Sequence, residues 1–176
     1  IKILQKQKEE TLSLNKKIRN YFKFAPGAQA SEWERFKNEG VAGIRFQELI
    51  TGDISDLNTL DEFNKKAGLE SESLSNQIWS LWLFKTANKG DVIFGSRGTR
   101  TSIGVGVLTG DYYYDEKDPS GFCHKRQVKW LTDKVYQYKS RSYLKYATLF
   151  SPNVFSPTHI WDFIISEYIR LFPELK

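Results

Sequence analysis

The amino-acid sequence predicts an α+β domain in which helices flank a small, strongly curved β-sheet or pseudo-barrel. Apolar residues recur with the helical period of 3.6 before residue 90 and with the alternating period of strands after it. Glycines at five positions in residues 95–110 favour the bends and close backbone approaches of such a sheet. A chain of 176 residues fits one domain. We assign that domain to residues 21–176 and treat residues 1–20 as an N-terminal extension.

Capping residues and glycines mark the ends of the helices. Ser31 and Glu34 have the spacing of a capping box, and Gly40 stands where that helix would end. Residues 75–90 have a broad apolar face at helical spacing, so we expect this helix to be buried. The predicted helices run from Ser31 to Gly40, from Ser55, Asp56 or Thr59 to Gly68, from Ser75 to Gly90 and from Ser156 to Phe172.

Strands are indicated by alternating apolar residues separated by glycine-containing turns. The stretch GDVIFGSRGTRTSIGVGVLTGDYYYD, residues 90–115, forms two predicted strands joined by a turn at residues 97–100. The predicted strands cover residues 21–24, 41–46, 91–96, 102–115, 125–131 and 145–150.

Positive charge is concentrated in two segments rather than spread evenly. Residues 1–30 contain 7 basic and 2 acidic side chains, and residues 122–145 contain 7 basic and 1 acidic side chain. The intervening residues 31–72 have 5 basic and 10 acidic side chains. Such a concentration of basic residues is typical of proteins that bind polyanions, although a solvated basic face gives the same pattern.

Several functional classes are disfavoured by composition. The chain has one cysteine and two histidines, so we expect neither an internal disulfide nor a structural metal. No nucleophile elbow, phosphate-binding loop or zinc-protease motif is present, and we expect no catalytic residue and no cofactor. No apolar run is long enough to cross a bilayer, which favours a soluble cytoplasmic protein.

Aromatic residues make up 15% of the chain, more than a core of this size needs. Three of them, Tyr112, Tyr113 and Tyr114, are consecutive at the end of a predicted strand. Neighbouring strand residues point to opposite faces, so Tyr113 is expected to lie opposite the other two. At least one tyrosine must therefore face solvent or a pocket. Spacing favours core positions for the tryptophans Trp79, Trp82, Trp130 and Trp161.

The order of the motifs is more specific than any one of them. The segments FAPG, SEWERFKNEG, VAGIRFQEL, GDISDL, NQIWSLWLFK, KGDVIFGSRGTRTSIGVGVLTGDYYYD and HKRQVKWL follow one another across residues 22–135. Together they resemble an EVE-type domain of the PUA and YTH-like superfamily. The version they resemble is the N-terminal DNA-binding domain of McrB-type modification-dependent restriction proteins.

This resemblance implies a pseudo-barrel that binds double-stranded DNA and takes one flipped, methylated base into an aromatic cage. The base would be N6-methyladenine or a modified cytosine. The resemblance also implies a reader without catalytic turnover. Its partners would be a GTPase domain of the same polypeptide and a separate nuclease subunit of an McrBC-type restriction complex.

The resemblance supplies two sets of candidate site residues. Phe46 stands where the family commonly has tryptophan and Arg45 where it has glycine, so one wall of the cage departs from the family pattern. The opposite wall is expected from the three tyrosines, and Phe122 is a further candidate. The pocket candidates are Trp33, Arg45, Phe46, Trp82, Tyr112, Tyr113 and Tyr114. The candidates for contacts to the DNA backbone are Ser96, Arg97, Thr99, Arg100, His124, Lys125, Arg126 and Lys129.

Two other functions are compatible with the same residues. The first is a YTH-like or PUA-like module that binds modified or single-stranded RNA. The second is a metal-dependent nuclease, for which the acidic cluster Asp111, Asp115, Glu116 and Asp118 would hold the cation. A solvated acidic turn is the favoured interpretation of that cluster.

Overall fold

A curled, mixed β-sheet flanked by helices forms the framework of the protein. The computed structural model describes residues 20–45, 50, 52–68, 76–98, 101–137, 151–152, 169–170 and 173. In this part of the chain the strands are β1 (Tyr21–Phe24), β2 (Val41–Ile44), β3 (Val92–Arg97), β4 (Thr101–Leu108), β5 (Tyr113–Tyr114), β6 (His124–Thr132), β7 (Tyr136–Gln137) and β8 (Ser151–Pro152). The helices are α1 (Trp33–Glu39), α2 (Leu60–Lys66) and α3 (Asn76–Thr86). The predicted α+β class is confirmed.

The strands are hydrogen-bonded in the order β2-β6-β4-β3-β1-β8, with β5 also beside β6 and β7 beside β4. The β1–β3 pair is parallel, and the other described pairs are antiparallel. The register shifts between Gly95 and Ser96 and again between Val105 and Gly106. Such irregularities bend a strand and increase its twist, which accounts for the curl of the sheet.

Glycines on β3 and β4 let a tryptophan ring lie directly against the strands. A Cβ atom at Gly104 would lie 2.5 Å from Cη2 of Trp33 and 2.7 Å from the carbonyl oxygen of Thr132. Neither distance leaves room for a methyl group. Trp33 in turn packs edge-on against Trp130, with ring centroids 4.8 Å apart. The close backbone approach that we predicted for these glycines is therefore confirmed at Gly104.

Replacing Gly104 with alanine should destabilise the fold by about 2 kcal/mol, because the added methyl group overpacks the contact with Trp33. Urea unfolding of Gly104→Ala and the parent protein measures this loss. Gly95→Ala on the neighbouring strand is the matched comparison, since its methyl group would lie 3.2 Å from Cγ1 of Ile103 and from Cζ3 of Trp33, so a smaller loss is expected. Equal losses in the two variants would contradict the assigned role of Gly104.

The capping predictions have mixed outcomes. Gly40 ends α1 in the left-handed conformation (φ 67°), and Thr59 forms a capping box with Glu62 at the start of α2, both as predicted. Ser31 does not cap α1. It ends a short 3₁₀ turn over Ala28–Ala30, and the helix begins two residues later, at Trp33. Gln29 and Ala30 in that turn have positive φ values of 52° and 61°, which are not helical, so the helix starts only after them.

The main hydrophobic core lies between the sheet and the helices and is rich in phenylalanine. Phe36 of α1, Phe63 of α2 and Phe84 of α3 are completely buried in it. Trp82 is half-buried and packs edge-on against Phe63 at 5.5 Å, which confirms its predicted packing against the core. The core members on the strands are Phe22, Phe24, Val41, Ala42, Ile44, Ile93, Leu108 and Val128.

Some predicted segments lie outside the described residues. These are residues 1–19 of the extension, the strand predicted at 145–150 and most of the closing helix predicted from Ser156 to Phe172. No described helix combines the length and apolar character that crossing a membrane requires.

Candidate functional site

Two of the three consecutive tyrosines lie together against a buried histidine. Tyr114 is the register partner of His124 on the neighbouring strand β6, and their ring centroids are 5.3 Å apart. The ring of Tyr112 lies 5.8 Å from the same imidazole, and its hydroxyl is 2.7 Å from Nδ1 of His124. Both tyrosines are half-buried, whereas His124 is only 2% exposed. We call these three residues the tyrosine–histidine cluster.

A turn from the acidic segment is held against this cluster. The backbone N–H of Ile54 donates a hydrogen bond to the hydroxyl oxygen of Tyr112, and the Asp53 carboxylate acts electrostatically on His124. Asp53 itself is fixed by hydrogen bonds from the backbone N–H and the hydroxyl of Ser55. The GDIS motif, residues 52–55, therefore forms a turn beside the cluster.

The cluster is uncharged at neutral pH. Burial lowers the pKa of His124 from 6.5 to about 4, although the nearby Asp53 carboxylate opposes this shift. Burial also raises the pKa of the Tyr112 hydroxyl above its ordinary value of 10. The imidazole and the phenol therefore face each other as neutral hydrogen-bonding groups.

Tyr113 lies on the other side of β5, as the alternation of side chains predicts. It is 37% exposed and stands in register with Lys125. The Lys125 ammonium is buried and pairs with the carboxylates of Asp115 and Asp118 at 2.8 and 2.9 Å. Arg35 of α1 also binds Asp118, at 2.6 Å. This face of β5 and β6 therefore carries an internal ion-pair network rather than a free basic surface.

Arg126 is also directed inward. It is 1% exposed, and its Nη1 donates hydrogen bonds to the carbonyl oxygens of Phe84, Lys85 and Ala87 at the end of α3. Its Nε donates to the carbonyl oxygen of Gly110 at 2.9 Å. Free carbonyls at the C-terminus of a helix favour a cation, which explains why this arginine is retained inside.

These positions correct the predicted backbone track for four of its residues. Lys125 and Arg126 are bonded inside the protein, His124 belongs to the tyrosine–histidine cluster, and Ser96 donates to the carbonyl oxygen of Phe24. A phosphate group would have to displace those partners to reach them.

The remaining candidates divide into exposed and undescribed residues. Arg97 at the end of β3 and Lys129 on β6 are exposed, as the prediction requires of groups that contact phosphates. Arg45 is exposed as well, and its guanidinium lies over the ring of Phe122 at 5.4 Å. The candidates Phe46, Thr99 and Arg100 lie outside the described residues.

The two tryptophan candidates for the pocket are packing residues in this structure. Trp33 is 4% exposed and is enclosed by β3, β4 and the ring of Trp130. Trp82 packs against the helical core, as described above. Trp82 is half-buried, as Tyr112 and Tyr114 are, but its described ring contact is with Phe63 of the core.

In the acidic cluster of residues 111–118, which was considered as a metal site, the buried residue Asp118 has a structural role. Asp118 accepts hydrogen bonds from Arg35 and Lys125 and from the backbone N–H groups of Ser120 and Phe122. Among the described residues, no group of three or more His, Cys, Asp or Glu side chains is arranged to hold a metal ion.

The sequence reasoning missed the part that Asp53 and Ile54 play beside the cluster. An aspartate followed two residues later by serine is a recognisable turn signal, and it was interpreted only as part of an acidic segment. The position of His124 beside the tyrosines was also missed, because a histidine next to Lys125 and Arg126 was interpreted as part of a basic segment. Alternation alone would have placed its side chain on the opposite face from that of Lys125.

A family model for a domain of unknown function, DUF8426, matches residues 22–151. The chain belongs to the DUF8426 family. No curated protein sequence matches this DUF8426 chain.

Two solved structures similar to the DUF8426 chain are YTH domains. One, from the Zygosaccharomyces rouxii MRB1 protein in complex with N6-methyladenosine RNA, covers 86% of this chain and 88% of its own, with 12% identity and a TM-score of 0.48. The other, the MmI1 YTH domain, covers 86% and 98%, with 9% identity and a TM-score of 0.46. At these identities the likeness concerns the fold and does not transfer a ligand.

Proposed function

We propose that this DUF8426 chain is a nucleic-acid-binding module that reads a single modified base, and that single-stranded RNA is its polymer. The tyrosine–histidine cluster carries the proposal, because it combines two half-buried phenol rings with an imidazole. Aromatic rings stack on bases with a gain of roughly 1–3 kcal/mol per base. Hydroxyl and imidazole groups supply the hydrogen bonds that read a base edge.

The neutral state of the cluster suits a base better than a phosphate. Nucleobases are flat and uncharged, so their burial beside neutral His124 and Tyr112 leaves no unpaired charge in the site. An added methyl group would gain about 0.8 kcal/mol by leaving water. That gain corresponds to a preference of about fourfold for the modified base, so the unmodified strand should still bind.

The positions of the cations support a single strand over a duplex. A duplex binder neutralises several phosphates along an extended basic surface. Here Lys125 and Arg126 are occupied inside the protein, which leaves Arg97, Lys129 and Arg45 as the exposed cations among the predicted site residues described. Single-stranded RNA presents splayed bases and needs fewer backbone contacts.

The motif order quoted above supports a modified-base reader in either polymer. The EVE-type and McrB-type resemblance favours methylated duplex DNA and a role in a GTP-dependent restriction complex. Whether the polymer is RNA or duplex DNA, the proposed domain binds it without catalytic turnover.

Fluorescence-polarisation titrations test the proposal and separate the two polymers. The probes are one sequence prepared as single-stranded RNA, single-stranded DNA and duplex DNA, each with and without N6-methyladenine, and a parallel set with 5-methylcytosine. We expect the modified RNA to bind about fourfold tighter than its unmodified form. Equal affinities within every pair would overturn the reader function, and a preference confined to duplex DNA would reverse the choice of polymer.

Tyr114→Ala should weaken binding of the preferred probe by roughly tenfold, since it removes one stacking surface of the cluster. Tyr113→Ala is the matched control, because Tyr113 is the neighbouring residue on the opposite face. Affinity is measured by the same titrations, and thermal unfolding checks that both variants remain folded. A loss of affinity that is the same in the two variants would exclude the cluster as the base site.

A further inference from the structure

The hydrogen bonds of Tyr112 determine which nitrogen of His124 carries the proton. The hydroxyl oxygen of Tyr112 accepts from the backbone N–H of Ile54 and lies 2.7 Å from Nδ1 of His124. The phenol keeps its own proton, and leaving a half-buried O–H unpaired would cost about 1–3 kcal/mol. Nδ1 is the acceptor within its reach in the described part of the chain. The Tyr112 hydroxyl therefore donates to Nδ1, and the proton of the neutral imidazole lies on Nε2.

The Nε2–H group has no hydrogen-bond acceptor among the described residues. Among the described residues His124 makes its hydrogen bond to Tyr112, and that bond involves Nδ1, not Nε2. The enclosed side-chain polar atoms that lack a partner in the described part are Asn64 Oδ1, Ser102 Oγ and Arg126 Nη2. Nε2 of His124 is not among these enclosed atoms, so it is not sealed from solvent although it has no acceptor in the described part. The cluster thus holds an unused N–H donor of fixed identity between two aromatic rings.

From this arrangement we infer that His124 is the residue that determines base specificity, and that its Nε2–H donates to an acceptor nitrogen on the Watson–Crick edge of the bound base. This inference rests on the proposed function and names the base class that the site takes. Adenine, through N1, and cytosine, through N3, present such an acceptor. Guanine and uracil carry an N–H at the equivalent position, which would oppose the histidine donor.

Tyr112 acts as a positioning residue in this arrangement, because it fixes the tautomer through Nδ1. In proteins, the hydrogen bond made by one ring nitrogen of histidine commonly determines which of the two nitrogens carries the proton. A site built to hydrogen-bond one edge discriminates strongly against analogues that leave its polar group unpaired. The discrimination therefore depends on Tyr112 as well as on His124.

The decisive experiment replaces one ring nitrogen of the base by a C–H group. The probes are single-stranded RNA nonamers with one N6-methyladenosine or one N6-methyl-1-deazaadenosine, and with one 5-methylcytidine or its 3-deaza analogue. We expect wild type to lose about tenfold in affinity on the deaza change in the pair whose parent it binds. His124→Leu should bind both members of that pair equally. His124→Gln, whose amide N–H₂ can take the place of Nε2–H, should restore part of the difference.

Tyr112→Phe keeps the imidazole and removes the group that fixes its tautomer, so the deaza effect should shrink to about threefold. In the free protein, ¹⁵N NMR of labelled histidine should show a protonated Nε2 and an unprotonated Nδ1 for His124. The chain has two histidines, so a His159→Gln variant assigns the signals. Protonation on Nδ1 would overturn the inference before any ligand is added.

The outcomes also separate this inference from the proposed function. If wild type prefers a modified strand but shows no deaza effect, the reader function stands and the role of His124 is wrong. The same conclusion follows if the deaza effect is equal in wild type and His124→Leu. If wild type prefers no modified strand, both proposals fail.

Discussion

Asp118→Asn should cost about 3 kcal/mol of folding free energy, the largest loss that we expect from a single polar substitution in this domain. The Asp118 side chain is fully enclosed and binds both Arg35 and Lys125. Without this carboxylate the buried Lys125 ammonium keeps only the part-exposed Asp115 as a described ion-pair partner, and Arg35 keeps Glu32. Losing the enclosed partner of a buried charge is strongly destabilising. Burial alone would raise the pKa of Asp118, but hydrogen bonds from these two cations and from the backbone N–H groups of Phe122 and Ser120 hold that pKa well below its usual range.

Asp115→Asn provides the matched control for this prediction. Asp115 binds the same ammonium group of Lys125, but its side chain is 36% exposed, and ion pairs with exposed partners contribute about 0–1 kcal/mol. Guanidinium unfolding of the two variants measures the difference. A loss below 1 kcal/mol in Asp118→Asn, or equal losses in both variants, would show that the network does not stabilise the fold as described.

Folding stability should fall by about 3 kcal/mol between pH 6.5 and pH 4 because of His124. In the unfolded chain this histidine takes up a proton near pH 6.5, whereas burial delays protonation in the folded protein to about pH 4. Over this interval the unfolded state binds more protons, so stability decreases as the pH is lowered. Each pKa unit of difference corresponds to about 1.4 kcal/mol.

His124→Gln isolates this contribution, since glutamine does not titrate and its side-chain carbonyl can still accept from Tyr112. Unfolding free energies of both proteins at several values between pH 7 and pH 4 give the pH dependence. The variant should lose most of the slope, and whatever remains belongs to His159 and the carboxylates. Parallel curves for the two proteins would mean that His124 is not held neutral by burial.

Local patterns in the sequence were sufficient to predict most of the described elements. Gly40 and Thr59 mark helix ends by chemistry that operates within one turn, and both were confirmed. The alternation of residues 102–115 likewise predicted that Tyr113 would face away from its neighbours. Ser31 shows the limit of such rules, because a preceding 3₁₀ turn took the position where a cap was expected.

The directions of the basic side chains could not be predicted in the same way. Lys125 and Arg126 form a run that resembles a surface for phosphates, yet both side chains are buried. The partners of Arg126 are carbonyl oxygens about 40 residues away, at the end of α3. Every residue carries a carbonyl oxygen, so no residue type in the sequence marks those acceptors. Only the tertiary fold shows that the positive charge is used internally.

The parallel pairing of β1 with β3 determines the order in which this domain can assemble during synthesis. Tyr21 of β1 pairs with Val92 of β3, about 70 residues later in the chain. At roughly 5–20 residues per second, the ribosome needs several seconds to supply that partner. Throughout this time the aromatic strand YFKF has no sheet to join, and an unpaired strand edge invites association with other chains. The first described strand is therefore translated several seconds before its parallel partner, and its edge stays unpaired during that interval.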